Sequence, residues 1–535
     1  MRLISEVSNE KLRGGFYTPE NIADFMLKWA LSDKEDAAIF EPSCGDGVFL
    51  DALKKGNFKY KSMLGLELDE IEAKKAAKIK PAKTQVICED FYAFYSKKKK
   101  FDVIIGNPPY IRYQFFNNLQ KHTASVIFNE AGLKYSKLTN AWVSFVVGSS
   151  MMLAPNGRIA FVLPAEILQV SYAKQLREFL SHYYNKINII SFEKLVFPHI
   201  QQEVVLLFCE KDGTSDHSIE HLELHDASDL ISLDIKELNT PKKRIDFKTN
   251  KWTFYFLDQD EIDLIERVKE RGVVSRLGNY AGVEVGITTG SNSFFTVPHS
   301  IVEKYNLEDF AKPLVGRSVQ VPSPVFRMRD WKDNIDKQAR AYILDFPAKE
   351  ELYERKHEGA LSYIRLGEES KINEGYKTSI RAEWQTIPSL RKSEALFIRR
   401  NNLYPKLVIN EAGAYTTDTM HRVTPKIGVN PQALTASYYN SLSLAFSEIS
   451  GRSHGGGVLE LMPSEVEDIL LPYNSNNSEL LPYIEDSLRS KIEMEKLLSY
   501  TDKKILGENL GFTEKEIKMF NRIWLKLQRR RLYRD

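Results

Sequence analysis

Phe101-Asp102-Val103-Ile104-Ile105-Gly106-Asn107-Pro108-Pro109-Tyr110 is the stretch on which the reading of this chain turns. Its first six residues form a short apolar run rich in β-branched side chains, which predicts a buried strand. The two prolines must end that strand. Each fixes φ at about −65°, and the first holds Asn107 in an extended conformation. The result is a stiff loop at the carboxyl end of a strand, where open α/β sheets place their ligands. That loop offers the amide oxygen of Asn107, the carbonyl of Pro108 and the aromatic face of Tyr110. Two acceptors and a stacking surface suit an exocyclic amino group on a flat heterocycle. Accepting both of its hydrogens steers the nitrogen lone pair towards an electrophile. Taken alone, the four residues also fit an ordinary proline-stiffened turn, the less favoured of the two readings.

The segments before it decide between these readings. Thr18-Pro19-Glu20 precedes the helical pattern Ile22, Phe25, Met26, Trp29, and Thr18 fits an N-cap followed by proline at the first helical position. Ala37-Ala38-Ile39-Phe40 reads as a strand, Glu41-Pro42-Ser43-Cys44-Gly45-Asp46-Gly47 as a loop, and Val48, Phe49, Leu50 and Leu53 as the start of a helix. Strand, glycine-bearing loop and helix make the usual opening of a nucleotide-type site. The loop lacks the spacing of a dinucleotide fingerprint and the Gly-Lys-Ser/Thr of a P-loop. Its carboxylates suit a cation, such as the ammonium of an amino acid cofactor, better than a phosphate. Met63 to Leu68 predicts a second strand that brings Glu67 about 20 residues after the loop, the position of a ribose-binding acid in doubly wound folds. Val86 to Phe91 predicts a third, whose Asp90 can accept from an adenine amino group while Phe91 covers a ring face. Each of these acids and aromatics also fits a helix cap or a core position.

Taken in order, Phe16-Tyr17-Thr18-Pro19, the Glu41–Gly47 loop, Glu67, Asp90-Phe91 and Asn107–Tyr110 resemble the catalytic domain of the gamma-group DNA N6-adenine methyltransferases of restriction–modification systems. The resemblance spans residues 14 to about 210. It implies an α/β fold: a doubly wound, Rossmann-like methyltransferase domain followed by an α+β target recognition domain. It implies S-adenosylmethionine as the methyl donor, with Tyr17, Thr18, Glu41, Ser43, Cys44, Gly45, Asp46, Gly47 and Asn107 around its methionine part. Glu67 would hold the ribose, and Asp90 and Phe91 the adenine. Ser43 and Cys44 stand where some members have alanine or glycine. Asn107, Pro108 and Tyr110 would be catalytic. In the family an aromatic after Leu195-Val196 packs on the flipped base opposite the tyrosine, which carries over to Phe197. The implied reaction is direct transfer to N6 of an adenine rotated out of double-stranded DNA, at an unstacking cost of about a few kcal/mol. It needs neither a metal nor a covalent intermediate, so Cys44 is not a nucleophile. An asparagine-led loop in this motif order favours adenine over the N4 amino group of cytosine.

The second half carries no comparable code. Leu238 to Arg244 is polar and basic and reads as a linker. The expected organisation is a methyltransferase domain over 1–240, a DNA target recognition domain over 241–475, and a helical basic C-terminal segment over 476–535. Gly286 to Asn292 resembles a turn of such recognition domains. Leu396–Asn401 and Leu407–Asn410 read as strands presenting Arg and Asn, which can read guanine and adenine, or as ordinary surface. The glycine run Gly455 to Gly457 allows close approach to DNA or simply makes a turn.

The whole chain bounds the answer. Its 535 residues suffice for two to four domains, with 43% hydrophobic and 27% charged residues. The net charge is only +2, yet Lys518–Asp535 holds seven basic residues against one acid. That tail fits a phosphate-contacting element or a solvated helix end. The cysteines Cys44, Cys88 and Cys209 lie far apart, without metal-ligand spacing, and read as reduced thiols of a cytoplasmic protein. No apolar stretch reaches the length of a membrane span. No nuclease motif stands out and the first cofactor element comes early, so modification without cutting is expected. Double-stranded DNA is the expected partner of a monomer, with a separately encoded restriction endonuclease as its cognate enzyme. Transfer to RNA or to a protein glutamine, and a non-catalytic DNA-binding subunit, are the competing readings; the intact Asn107-Pro108-Pro109-Tyr110 loop argues against the last.

Overall fold

The computed structural model describes residues 18–136, 140–197, 203–239, 243–245, 251–388, 390–454 and 456–532. Tyr17, named above as a cofactor contact, lies outside them. The chain forms two compact units, divided between Ile262 and Asp263.

The first unit is built on a nine-stranded sheet. Its strands are β1 (Ala38–Glu41), β2 (Ser62–Glu67), β3 (Thr84–Cys88), β4 (Phe101–Gly106), β5 (Leu153–Pro164), β6 (Lys186–Phe192), β7 (Val204–Glu210), β8 (Ser218–Leu224) and β9 (Lys243–Arg244). They lie in the order β3-β2-β1-β4-β5-β7-β6-β8-β9. From β3 to β5 every pairing is parallel, and β7 then enters antiparallel between β5 and β6. The order reverses between β1 and β4, which makes their carboxyl ends the topological switch point of a doubly wound sheet. Lys243–Arg244, read above as part of a linker, instead pairs with β8 as the ninth strand. Edge pairing satisfies backbone groups that the local polar composition does not reveal.

Helices cover both faces. Helix α1 (Glu20–Ala30) buries Ile22, Phe25, Met26 and Trp29 in one core cluster with Ile39, Val103, Val162, Ile190 and Phe208. Helix α2 (Val48–Lys55) starts directly after Gly47, and α3 (Glu70–Ile79) is capped by Asp69 through the N–H groups of Ile71 and Glu72. On the other face Phe40 stacks on Phe94 of α4 (Phe91–Tyr95) at 5.3 Å and on Phe101 at 4.5 Å. Helices α5 (Asn118–Glu130) and α6 (Ala141–Met151) follow, α6 with every residue from Ala141 to Ser150 buried. A helix apolar all round belongs in the interior.

The second unit is α+β. A five-stranded sheet runs in the order 281–285, 420–425, 395–398, 407–410, 325–326, antiparallel except for its last pairing. Two three-stranded sheets accompany it, over 296–297, 342–344 and 311–313, and over 400–401, 458–460 and 452–454. Helices dominate from 481 onwards and end with Glu514–Leu532, which buries Phe520, Ile523, Trp524 and Leu527.

In that last helix one residue of the basic tail is neither a phosphate contact nor part of a solvated helix end. Arg531 is only 2% exposed, and it meets Glu448 with Nε at 3.1 Å and Nη2 at 2.7 Å. It also donates to the carbonyls of Asn402 and Gly457. Burial pushes the Glu448 carboxyl up and the guanidinium pulls it back. Removing one partner strands the other charge in a dry site, at a cost of about 3–5 kcal/mol, whereas apolar replacement of both is often neutral. Arg531→Ala is therefore expected to lower the stability of the full chain in urea unfolding by that order. An Arg531→Met, Glu448→Leu double variant is expected to recover most of the loss. An unaltered midpoint in Arg531→Ala would refute the buried pair.

Candidate active site

The carboxyl ends of β1, β2 and β4 bring three sequence-distant loops together. Parallel pairing sets Ile39 opposite Val103 and Phe40 opposite Ile104, so Glu41 ends β1 beside the end of β4. Gly106 closes that end, and a Cβ there would stand 3.6 Å from Glu41 Cγ and from Pro42 Cδ. Asn107 then turns back on the first loop: its Nδ2 donates to Thr18 Oγ1 at 3.2 Å, and Ser43 Oγ donates to its carbonyl at 3.2 Å.

Thr18 is not the N-cap expected of it. Helix α1 starts at Glu20, and the Pro19 carbonyl accepts from Ile22 and Ala23 without a side-chain cap. The threonine hydroxyl is used by Asn107 instead, a long-range partner that local spacing cannot show.

The glycine-bearing loop is fixed from both sides. Cys44 N donates to the Leu66 carbonyl at 2.7 Å, and Gly45 N donates to Glu67 Oε2 at 2.8 Å. The other oxygen of Glu67 accepts from Asp69 N at 2.8 Å. Gly45 has φ of +54° and nothing within 4 Å of a hypothetical Cβ, so its backbone is open to close approach. Gly47, with φ of +98°, has no such room: a Cβ would meet Ile79 Cδ1 at 2.6 Å, where the loop packs on α3. Two glycines two residues apart thus serve opposite purposes, access and packing.

The electrostatics are set by acids. Glu41 is 1% exposed, and its Oε2 has no hydrogen-bond partner among the described residues. Burial pushes its carboxyl well above the usual range, and the carboxylates of Glu67 and Asp46 push it further. Burial and Glu72 raise Asp46 as well. Cys44 is also buried and its thiol pushed up, chiefly by desolvation and then by Glu41. It is a thiol packed against Gly65 rather than a nucleophile.

The remaining expected contacts have structural partners of their own. Asp90 caps α4, its Oδ1 accepting from Tyr92 N at 2.7 Å and its Oδ2 from Gln120 Nε2 at 2.8 Å. Phe91 is buried and stacked on Phe145 at 4.3 Å. Pro108 is buried, and the half-buried Tyr110 donates from its hydroxyl to the Val162 carbonyl at 3.2 Å. Burial holds that phenol well above its ordinary range, so it stays protonated. Phe197 is 8% exposed, in the core cluster against which Tyr110 also packs. Sequence reading passed over Asp102, which accepts from Ala38 N at 2.9 Å and ties β4 to the start of β1.

In the second unit, side chains considered as base readers are largely committed to the fold. Asn401 donates to the Ile398 carbonyl, and Asn410 to the carbonyls of Ser393 and Ala414. Both are buried, which corrects the expectation of ordinary surface. Arg399 and Arg400 each donate to Glu460 Oε1 at 3.0 Å, and Arg400 remains largely exposed. The turn at Gly286–Asn292 is braced by Arg381 Nη2 on the Thr289 carbonyl at 2.6 Å and by Asn292 Nδ2 on Asp418 at 3.1 Å. Its Gly286 is obligatory, since a Cβ would lie 2.0 Å from the Thr417 carbonyl oxygen. Among the described residues there is no cluster suited to a metal ion and no helix long and apolar enough to cross a membrane.

Residues 31–197 match the family described as Eco57I restriction-modification methylase, and residues 249–506 match the C-terminal domain of Type II methyltransferase M.Eco57I. The chain is 25% identical over 471 residues to the Type II methyltransferase M.AccI of Acinetobacter calcoaceticus, covering 84% of each protein. It is 29% identical over 226 residues to M.HincII of Haemophilus influenzae, covering 42% of each. The type IIG restriction endonuclease BpuSI aligns with a TM-score of 0.42 at 14% identity, over 97% of this chain and 66% of its own.

The state of Glu41 has a consequence for stability. Its folded-state pKa lies above the ordinary 4.5, so the unfolded chain ionises first. The stability held below pH 4.5 is lost as pH rises towards the folded-state value. Glu41→Gln lacks that loss. It is expected to melt above the parent at neutral pH, and level with it under acid conditions, by calorimetry of the ligand-free protein. Equal melting of the two at every pH would show that ionising Glu41 costs the fold nothing.

Proposed function

We propose that this chain, which carries the domains of Eco57I-type restriction–modification methylases, is a sequence-specific DNA adenine methyltransferase that modifies N6 of a flipped-out base with S-adenosylmethionine. The observation that supports this most is the closure of the Asn107 loop onto Thr18 and Ser43, beside the Glu41–Glu67 acids, at the sheet's switch point. The acidic and open-backbone character of that pocket fits a cationic amino acid nucleoside. Gly45 leaves the backbone accessible, and the buried Glu41 oxygen lacks a partner among the described residues. Thr18, Glu41 and the Ser43–Gly47 loop are assigned to its methionine part, Glu67 to the ribose, and Asp90 and Phe91 to the adenine. The bound cofactor supplies an activated methyl group; everything else is positioning and electrostatics.

In this reading Asn107 and the Pro108 carbonyl accept the two N6 hydrogens. The bond from Asn107 Nδ2 to Thr18 orients the amide, so its oxygen turns the other way. The prolines hold the loop against thermal motion, which keeps the accepting groups in place without reorganisation. Tyr110 acts as a surface and not as a base, since its phenol stays protonated and its hydroxyl is tied to β5. Base stacking of this kind contributes about 1–3 kcal/mol. Phe197 is assigned to the other face of the base. The unit over 263–533 is assigned to target recognition, with the basic C-terminal helix as part of that half. The chain acts as a monomer on double-stranded DNA, and a separately encoded endonuclease is its counterpart.

Methylome sequencing of cells expressing the chain is expected to show N6-methyladenine at one defined motif. Asn107→Ala is expected to abolish it. With purified protein, Tyr110→Phe is expected to stay close to the parent in kcat/KM, while Tyr110→Ala loses roughly tenfold or more from missing stacking. Absence of any methylated base in both strains would overturn the proposal in favour of RNA, protein or a partner subunit. Methylation at cytosine N4 would overturn its adenine assignment alone.

A further inference from the structure

The segment that follows the Asn107 loop is used neither by the cofactor nor by the flipped base. From Val103 to Asn129 the chain carries no acid, while it carries Arg112, Lys121 and His122. Two contacts put the middle of this stretch on the same edge of the sheet as the site. Tyr110 is tied to the Val162 carbonyl near the end of β5. Gln120, in the first turn of α5, donates to Asp90 just past the end of β3 at 2.8 Å. The far end of α5 meets the opposite edge, where Glu130 pairs at 2.6 Å with Lys98, ahead of β4. Between Tyr110 and Gln120, Tyr113–Phe115 forms a single 3-10 turn, with Phe115 N donating to the Arg112 carbonyl at 3.0 Å. Such a turn advances the chain by only about 6 Å and two further residues by at most about 7 Å, so Phe115 lies within about 13 Å of Tyr110 along the backbone.

The turn is anchored below and bare above. Phe116 is buried, with its ring 5.7 Å from that of Tyr92 and 5.8 Å from that of Tyr113. Asn117 and Gln120 form a capping box that fixes the start of α5. Phe115, between these anchors, is 51% exposed, as is Leu119 one helical turn on. Arg112 is exposed as well; its backbone is bridged to Asn140, and its guanidinium pairs with no carboxylate among the described residues. Glu166 and Asp90, acids on the same edge, are already engaged, by the Tyr172 hydroxyl and by Gln120. A single exposed aromatic needs no explanation. One held out on a stiff turn, beside an available guanidinium and on an acid-free surface, suits a partner with flat bases and anionic phosphates.

We propose that Phe115 is the wedge that enters the duplex beside the target adenine and fills the gap left by its rotation, while Arg112 holds a backbone phosphate next to it. The inference rests on the DNA reading proposed above and deepens it. A base rotated out leaves its neighbours unstacked and its partner base unpaired. An apolar ring in the gap restores stacking there and delays the return of the base. Phe115 thus acts on the balance between stacked and extruded adenine, through the duplex. It touches neither the cofactor nor the reacting nitrogen, and is a positioning residue.

Full-chain variants test this on a duplex carrying the motif found by methylome sequencing, and on the same duplex with the target adenine mispaired. Each variant is first matched to the parent in melting curve and in S-adenosylmethionine affinity. Phe115→Ala is expected to lose roughly tenfold or more in kcat/KM on the paired duplex. It is expected to recover most of that loss on the mispaired duplex, whose adenine is already loosely stacked. Phe115→Trp is expected to restore activity on the paired duplex. With 2-aminopurine at the target position, the rise in fluorescence on binding is expected to shrink in Phe115→Ala. Arg112→Ala is expected to weaken binding to DNA of any sequence and to lower the slope of log affinity against log salt by about one. Phe115→Gln replaces the alanine variant should that one not match the parent in folding. Failure of both to match makes Phe115 part of the fold and overturns the wedge. So does unaltered activity on the paired duplex, or an equal loss on both duplexes; each of these leaves the proposed function standing. An unaltered salt slope in Arg112→Ala overturns the phosphate contact. If the parent chain methylates no DNA, the function and the wedge fall together.

Discussion

Asn107, through its side-chain amide and its backbone carbonyl, is the joint on which the first unit's site depends. Its bonds to Thr18 and Ser43 unite residues 89 and 64 positions apart in the chain. Neither bond could form unless β4 lay between β1 and β5 in the observed register. Each strand residue advances the chain by about 3.3 Å, so a two-residue slip would carry Asn107 well beyond hydrogen-bond reach. The apolar runs of β1 and β4, buried on both faces, and the bond from Ala38 N to Asp102 hold that register. Positioning of the loop is therefore a property of the sheet before it is a property of the loop.

That sheet also explains why so many acids can gather in one place. Parallel strands deliver their carboxyl ends to a common edge, and Glu41, Glu67 and Asp90 each sit at or just past such an end. Two of the three are neutralised by backbone or side-chain donors. The third is left buried beside like charges, an arrangement that opposes folding and is tolerated because the rest of the core is extensive. Strain of this sort is commonly concentrated where a ligand will relieve it.

The second unit spends its charges differently. Glu448 with Arg531 and Glu460 with Arg399 and Arg400 tie strands and the last helix together. Arg489 bridges Asp330 and Glu485 in the same way. Basic residues that composition alone would assign to a nucleic acid are, in part, internal braces. What is presented outward is correspondingly narrower, and Arg400 is the plainest example because one carboxylate is shared between it and Arg399.

The sequence by itself determined the local facts: strands at Ala38–Phe40 and Phe101–Gly106, a helix after Gly47, a stiff loop from Asn107, and acids at strand ends. These follow from side-chain stiffness, proline geometry and hydrophobic periodicity, which act over a few residues. It also made the order of the motifs visible, and with it the family resemblance. Only the tertiary structure decided which partner each polar group takes. Thr18 serves Asn107 instead of capping its own helix, Asp90 caps α4, Asn401 and Asn410 are interior, Lys243–Arg244 is a strand, and Arg531 is buried. The reason is physical. A hydrogen bond or ion pair joins whatever the fold brings within about 3 Å, and that proximity is set by sheet order and packing between distant segments.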